Sequence, residues 1–247
     1  MEKRSAILRL GFRLALLSLV VAILAIMGHR LGVMDFQLAV YGMAAAGLTG
    51  LLSVLVTMVG IVKTTITKSP GLGFGLGVMV MGLIVAVPVI AAIDAGRTSP
   101  FIHDISTDVA NPPEFVAIVE ARGNGKFNSL ERTSEVAQLQ QAGYPELGGL
   151  YVDRLPGQVF ELALETAQAQ GWTIVAVSPE TGLIEASATT LVLGFTDDVV
   201  IRVTDVNGKA MVDVRSASRV GMSDMGANAK RIKAYLDDLA EVIAHAE

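Results

Sequence analysis

Three uncharged apolar runs, Leu14–Met27, Ala39–Val62 and Leu72–Ile93, restrict what this chain can fold into more than any other feature. The second and third exceed the roughly 20 residues that carry a helix across the hydrocarbon core of a bilayer. The first is shorter, but Ala6–Leu10 extends it, and Arg9 and Arg13 can snorkel to the headgroups along their aliphatic stems. A secretory signal peptide is the competing reading of that run, since Lys3 and Arg4 precede it. No A-x-A site closes it and two further apolar runs follow, so the expectation is a three-helix transmembrane anchor over residues 1–96. A composition of 52% hydrophobic and 17% charged residues fits a chain that is part membrane protein, part soluble domain.

Charge is divided unevenly along the chain. Residues 1–99 carry 8 basic and 3 acidic side chains, and residues 100–247 carry 11 and 21. An acidic soluble half repels nucleic acid and anionic lipid headgroups at long range, which argues against either as its main partner, while the apolar runs make the lipid bilayer a partner of the anchor. The basic residues also orient the spans. Lys3, Arg4, Arg9 and Arg13 lie before the first span and Lys63 and Lys68 between the second and third. The first loop has only Arg30, balanced by Asp35. The expected topology is a multi-pass inner-membrane protein with a cytoplasmic N-terminus and a periplasmic domain over residues 97–247. With no cysteine, disulfides, thiolate catalysis and cysteine-bound zinc are excluded.

The spans hold no internal charge, which argues against a proton relay or an ion path. On the second span Gly42, Ala46, Thr49, Ser53, Thr57 and Gly60 recur at spacings of three and four. Such a small or hydroxylated stripe lets helices approach closely in lipid, either within the anchor or toward a second copy or a partner membrane protein. The GLGFGLG run at Gly71–Gly77 lacks the strand that a nucleotide-binding loop requires, so Gly73 and Gly77 are read as a close-packing pair and Pro88 as a kink.

In the soluble half, Arg97–Tyr151 has little periodicity, and the prolines of SPFIHDISTDVANPPEF disfavour helix. It is expected to be an extended wrapping segment over residues 97–150, with one short helix at Ser129–Gln141. From Pro156 the pattern becomes regular: a helix to Gly171, strands at Trp172–Val177, Leu183–Leu193, Val199–Thr204 and Lys209–Val220, and a closing helix from Met225 to Ala244. Asn207-Gly208 marks a tight hairpin. The fold class is therefore three transmembrane α-helices plus an α+β domain, with an antiparallel meander whose helices cover one face, in the order α-β-β-β-β-α over residues 151–247.

The polar residues concentrate in Asp213–Ile232, DVRSASRVGMSDMGANAKRI. Alternation along the last strand puts Asp213, Arg215, Ala217 and Arg219 on one face and Val212, Val214, Ser216, Ser218 and Val220 on the other. The valine face should meet the helices and the arginine face the wrapping segment. Asp224 is placed to cap the closing helix, near Asn228 and Arg231. Arg215, Arg219, Arg231 and Asp224 then admit two readings. The arginines fasten the wrap by bidentate bonds to carboxylates such as Asp197, Asp198 or Asp213, or they form a fork for an anionic ligand beside a helix N-terminus. Adjacent Asp197 and Asp198 should point to opposite faces, so they are no catalytic carboxylate pair. His103, Asp104 and Asp108 are the residues from which a base or a metal site would be assembled, but no catalytic set or cofactor is indicated.

The segments FIHDISTDVANPPEF, AGYPEL at Ala142–Leu147, TDDVVIRV and DVRSASRVGMSDMGANAKRI resemble the bacterial and plastid family called domain of unknown function 1499, over about Pro100–Leu239. That family has no established activity, so the resemblance implies a domain without implying a reaction. In some members the domain stands with little or no membrane part, which would make the three spans here a local addition. The helix, four strands and final helix also resemble, more loosely, the helix-grip modules of outer-membrane assembly lipoproteins, by fold alone. The function expected is a non-enzymatic membrane protein whose periplasmic domain binds an envelope component or partner protein. The alternatives are an enzyme using His103 with Asp104 or Asp108, and a membrane-complex assembly factor.

Overall fold

The structure is a computed structural model, which describes residues 5–123 and 125–246. Lys3 and Arg4, used above for orientation, lie outside the described residues. The chain divides into two compact units, Met1–Ala95 with Val192–Gly194, and Gly96–Leu191 with Phe195–Glu247.

The first unit rests on α1 (Ala6–Arg30), α2 (Phe36–Ile66) and α3 (Leu72–Thr98), each long and apolar enough to cross a membrane. Asp35 starts α2 by accepting from Leu38 N at 2.8 Å. The stripe on α2 faces α1. Ser53 Oγ donates to Gly11 O at 2.8 Å, and Ser18 Oγ donates back to Ala46 O at 2.7 Å. A side chain on Gly60 would stand 2.6 Å from Leu8, one on Gly42 3.0 Å from Ala25, and one on Gly11 against Thr57. Thr49 instead bonds Ala45 O within its own helix. In lipid, where dispersion and hydrogen bonding replace the hydrophobic effect, such backbone approach is what joins helices. The glycines expected to pack in α3 are not the ones that do. Nothing approaches Gly73 or Gly77, whereas Gly75 meets Ile61, and Gly82 and Gly50 each leave their Cβ position 2.8 Å from the other's carbonyl oxygen. Pro88 lies inside α3, which continues to Thr98.

The second unit is an α+β layer. Its strands are β1 (Asp104–Ser106), β2 (Leu150–Val152), β3 (Thr173–Ser178), β4 (Leu183–Thr189), β5 (Thr196–Val206) and β6 (Lys209–Ser218). The helices between and after them are α4 (Ala117–Arg122), α5 (Ser134–Gly143), α6 (Pro156–Ala169) and α7 (Ala227–His245). β3 to β6 form the expected antiparallel meander, and the β5–β6 turn places Asn207 and Gly208 at φ 57° and 83°, as a two-residue hairpin of type I′ requires. β4 ends at Thr189, four residues short of the apolar run read as strand, and β5 begins at Thr196, three earlier than expected.

The sheet order β1-β6-β5-β4-β3, with β2 also on β6, makes β6 an interior strand. β1 pairs with Arg215–Ala217 and β2 with Ala210–Val212 along the same edge. Between them Thr107 continues the ladder, its N–H donating to Val214 O and its Oγ1 accepting from Val214 N, both at 2.9 Å. The wrapping segment thus contributes β1 and α4 besides α5, which begins at Ser134 rather than Ser129, and β2 starts at its last residue. Three-residue strands have no periodicity of their own to read.

α6 and α7 cover one sheet face. Val159, Phe160, Ile232, Tyr235 and Leu239 close on Val199, Ile201, Val212 and Val214, and Trp172 stacks on Tyr235 at 5.0 Å between ring centroids. The Tyr235 hydroxyl donates to Ala163 O at 2.8 Å, and burial raises its pKa. The other face is not bare of helix: α4 sits on it, with Phe115 and Ile118 packed on Val200 and Ala217.

Candidate functional site

The alternation read along β6 places its side chains as expected. Val212 and Val214 enter the helix-side core, while Asp213, Arg215 and Ala217 face the wrap. Asp197 and Asp198 diverge likewise, Asp198 toward the wrap and Asp197 toward α7.

On the wrap face, arginines and carboxylates are interleaved. Arg215, 4% exposed, forks onto Asp104 with Nε to Oδ1 at 3.1 Å and Nη2 to Oδ2 at 2.7 Å. Its other donors reach Pro113 O at 3.1 Å and Leu130 O at 2.6 Å, and its plane lies 4.9 Å from the Phe115 ring centroid. One side chain of the last strand therefore holds three separate points of the wrap. Asp104 also takes Arg132 Nη1 at 3.0 Å. Burial lowers the Arg132 pKa, and Asp104 opposes that shift. Arg132 bonds Gln140 Oε1 in turn, and the Gln140 amide pairs both ways with Ser106, Nε2 to the carbonyl at 2.6 Å and Oε1 from the N–H at 3.0 Å. A side chain thereby completes the free edge of β1.

Asp198, fully buried, is the second node. It accepts from Arg219 at 2.7 Å, Arg122 at 2.7 Å and Ser187 at 2.8 Å. The Phe127 ring lies against both guanidinium groups. Glu185, on β4, spends its carboxylate on the N–H groups of Val116, Ala117 and Ile118, where α4 begins. The third node is Asp213, which takes Thr107 Oγ1 at 2.9 Å and Arg202 Nη2 at 3.1 Å.

On the helix face Arg231 bonds Asp197 at 2.6 Å and Asn228 Oδ1 at 2.6 Å, while Asn228 also bonds Ser216, Ser218 and the carbonyl of His103. Gly226, at φ 80°, is the N-cap of α7, which begins two residues later than expected; Asp224 precedes it and accepts from Gly226 N at 2.8 Å and Asn228 N at 3.1 Å. Burial raises its pKa, against the pull of those two bonds. The four residues singled out as an anion site are therefore distributed over both faces, each engaged with groups of the same chain. His103, Asp104 and Asp108 do not converge either. Asp104 belongs to Arg215 and Arg132, Asp108 bonds Arg202 at 2.9 Å, and His103 Nδ1 is buried without a hydrogen-bond partner. Among the described residues no three His, Asp or Glu side chains are grouped to hold a metal ion.

Beside the third node the wrap leaves a cleft of about 810 Å³, lined by Asp108, Asn111, Tyr144, Arg202, Met211 and Asp213 among others. Arg202 Nη2 holds Asp108 and Asp213 together, and its Nε is buried without a partner. Sequence reasoning passed over Arg202 because a single arginine in TDDVVIRV has no local pattern. Its distinguishing signal is register, since Arg202 stands opposite Asp213.

A family profile described as a protein of unknown function (DUF1499) matches residues 104–239. The chain belongs to this family. The match begins at Asp104, the carboxylate under Arg215, and ends at Leu239 in the core, so the DUF1499 domain takes in the arginine lattice and the residues that line the cleft. No curated protein matches the chain.

Proposed function

We propose that this is a binding protein rather than an enzyme: a multi-pass protein of the inner membrane whose DUF1499 domain stands in the periplasm and holds an envelope component or a partner protein. The observation that carries the reading is the cleft. Its volume falls within the roughly 300–1,000 Å³ of small-molecule sites, and its polar lining includes a buried donor without a partner, Arg202 Nε. The remaining carboxylates argue for binding over catalysis, because Asp104, Asp197, Asp198 and Glu185 are already committed to arginine or backbone donors. Orientation is supported by Arg9, Arg13, Lys63 and Lys68 on one side of the spans against Arg30 with Asp35 on the other.

The test is native mass spectrometry of the full chain in mild detergent, comparing wild type with Asn111→Trp, a change that fills the cleft from its rim. A bound species lost in the variant, with the variant folded, is the expected result. Identical spectra for the two proteins refute a ligand in this cleft.

A further inference from the structure

Three charged side chains line the cleft, Asp108, Asp213 and Arg202, and each is already paired with another of the three. Arg202 Nη2 donates to Asp108 Oδ2 at 2.9 Å and to Asp213 Oδ2 at 3.1 Å. The remaining oxygen of each carboxylate is engaged as well. Asp108 Oδ1 accepts from Asn111 N at 2.8 Å, and Asp213 Oδ1 accepts from Thr107 Oγ1 at 2.9 Å. A carboxylate oxygen has two lone pairs, so each of these four keeps one acceptor position. Gly149, on the cleft wall, keeps a side chain away from Asp213, since a Cβ there would stand 2.7 Å from Oδ1.

On the donor side, Arg202 Nη1 makes no hydrogen bond among the described residues and, unlike Nε, is not buried. The side-chain amides of Asn111 and Gln141 and the hydroxyl of Thr204 likewise bond nothing among the described residues. Between these polar groups the wall is apolar, with Val109, Leu147 and Met211.

This leftover capacity selects a ligand by charge. A phosphate or carboxylate would enter beside two aspartates that already share the guanidinium, and like charges at such range repel. An ammonium group would find no carboxylate with both oxygens free, and it would face Arg202. What fits is an uncharged group that donates and accepts at one atom, which describes a hydroxyl. Two neighbouring hydroxyls on a ring can act together, one donating to a carboxylate while the next accepts from Arg202 Nη1. The C–H faces of the same ring suit the apolar wall.

We infer that the cleft takes an uncharged sugar, held through adjacent hydroxyls by Asp108, Arg202 and Asp213. The inference rests on the reading of this cleft as a binding site and gives that site its ligand class. A free saccharide and the head of a glycolipid share the chemistry.

The test is saturation-transfer NMR on the full chain in lauryldimethylamine oxide, a detergent without a sugar head. The probes are maltose, lactose and N,N′-diacetylchitobiose, with glucose 6-phosphate and glucosamine as charged counterparts. At least one neutral disaccharide should bind in the millimolar range, several-fold more tightly than either charged sugar, and Asn111→Trp should abolish that binding. Asn111→Ala removes an amide that the fold does not use, so it should weaken binding several-fold with the thermal midpoint unchanged. Tighter binding of a charged sugar, lost in Asn111→Trp, overturns the neutral class while leaving a ligand site in the cleft. Binding that survives Asn111→Trp, or no binding by any of the three disaccharides, also overturns the inference. Whether the cleft holds any ligand is decided separately, by the native mass spectra. Competition between the bound disaccharide and its dodecyl glycoside in phosphatidylcholine nanodiscs separates the two sources. Displacement means that a lipid-borne head reaches the cleft, its absence leaves the free sugar, and the ligand class stands in both cases.

Discussion

On the helix side of the sheet, Val212 and Val214 meet Ile232, Tyr235 and Leu239 in an apolar core, whereas on the other side Asp213 and Arg215 meet Thr107, Asp104 and the carbonyls of a mostly irregular segment. The cause is what each cover offers. α6 and α7 are long enough to present an apolar stripe, so area burial at about 25 cal/mol per Å² fastens them. The segment from residue 99 to 149 has no such stripe, and its backbone donors and acceptors must be met one by one. Arginine suits that task, since one planar fork can hold a carboxylate and still reach two carbonyls. Adhesion on the helix side is spread mainly over area, beside the Arg231–Asp197 ion pair. On the other it is concentrated at Asp104, Asp198 and Asp213.

Three substitutions test this contrast, and Trp172, the sole tryptophan, reports unfolding of the α+β unit without signal from the spans. The largest effect is expected from Arg215→Ala, at about 3–5 kcal/mol, the usual cost of stranding a buried partner. Tryptophan fluorescence during denaturant titration would measure it, and limited proteolysis should find new cleavage between residues 107 and 133. A loss below about 1 kcal/mol would falsify the claim that adhesion on this face is concentrated in ion pairs. Ile232→Ala should cost about 2–5 kcal/mol through the cavity it leaves, without opening the wrap to protease. Cleavage between 107 and 133 in this variant would mean that the two faces do not separate as described.

The smallest effect concerns Asp224. Its folded pKa is raised above the unfolded value by burial, so the folded state binds the proton more tightly and the wild type loses stability as pH rises through the folded pKa. Asp224→Asn cannot titrate. The variant's deficit in thermal midpoint should therefore narrow between pH 4 and pH 7, and a deficit that widens over that range would reverse the assignment.

What could be read beforehand follows the same division. The meander, α6, α7 and the Asn207-Gly208 hairpin were legible because each repeats a local period or a turn signal. So was the face alternation of residues 212–217, and with it the divergence of Asp197 and Asp198. The wrap was legible only as a segment. β1 and β2 are too short to show alternation, and they exist because β6 offers them an edge. The pairing of Arg215 with Asp104 bridges 111 residues, and the anchoring of α4 on Glu185 about 68, so neither leaves a trace in spacing. The hydroxylated stripe on α2 was visible, but which helix it faced was not.

The position of β6 between β5 and β1 also bears on how the unit assembles during synthesis. β1 leaves the ribosome first and its partner strand nearly last, so the edge of β1 and the carboxylate of Asp104 wait for more than a hundred residues of intervening chain. Long-range antiparallel pairing of this kind is slow, and the intermediate exposes unpaired backbone and charge together. The meander from β3 to β5 can form beforehand from local contacts. Closure must await Arg215, so a chain interrupted before that residue would hold a hairpin array with its wrap unattached.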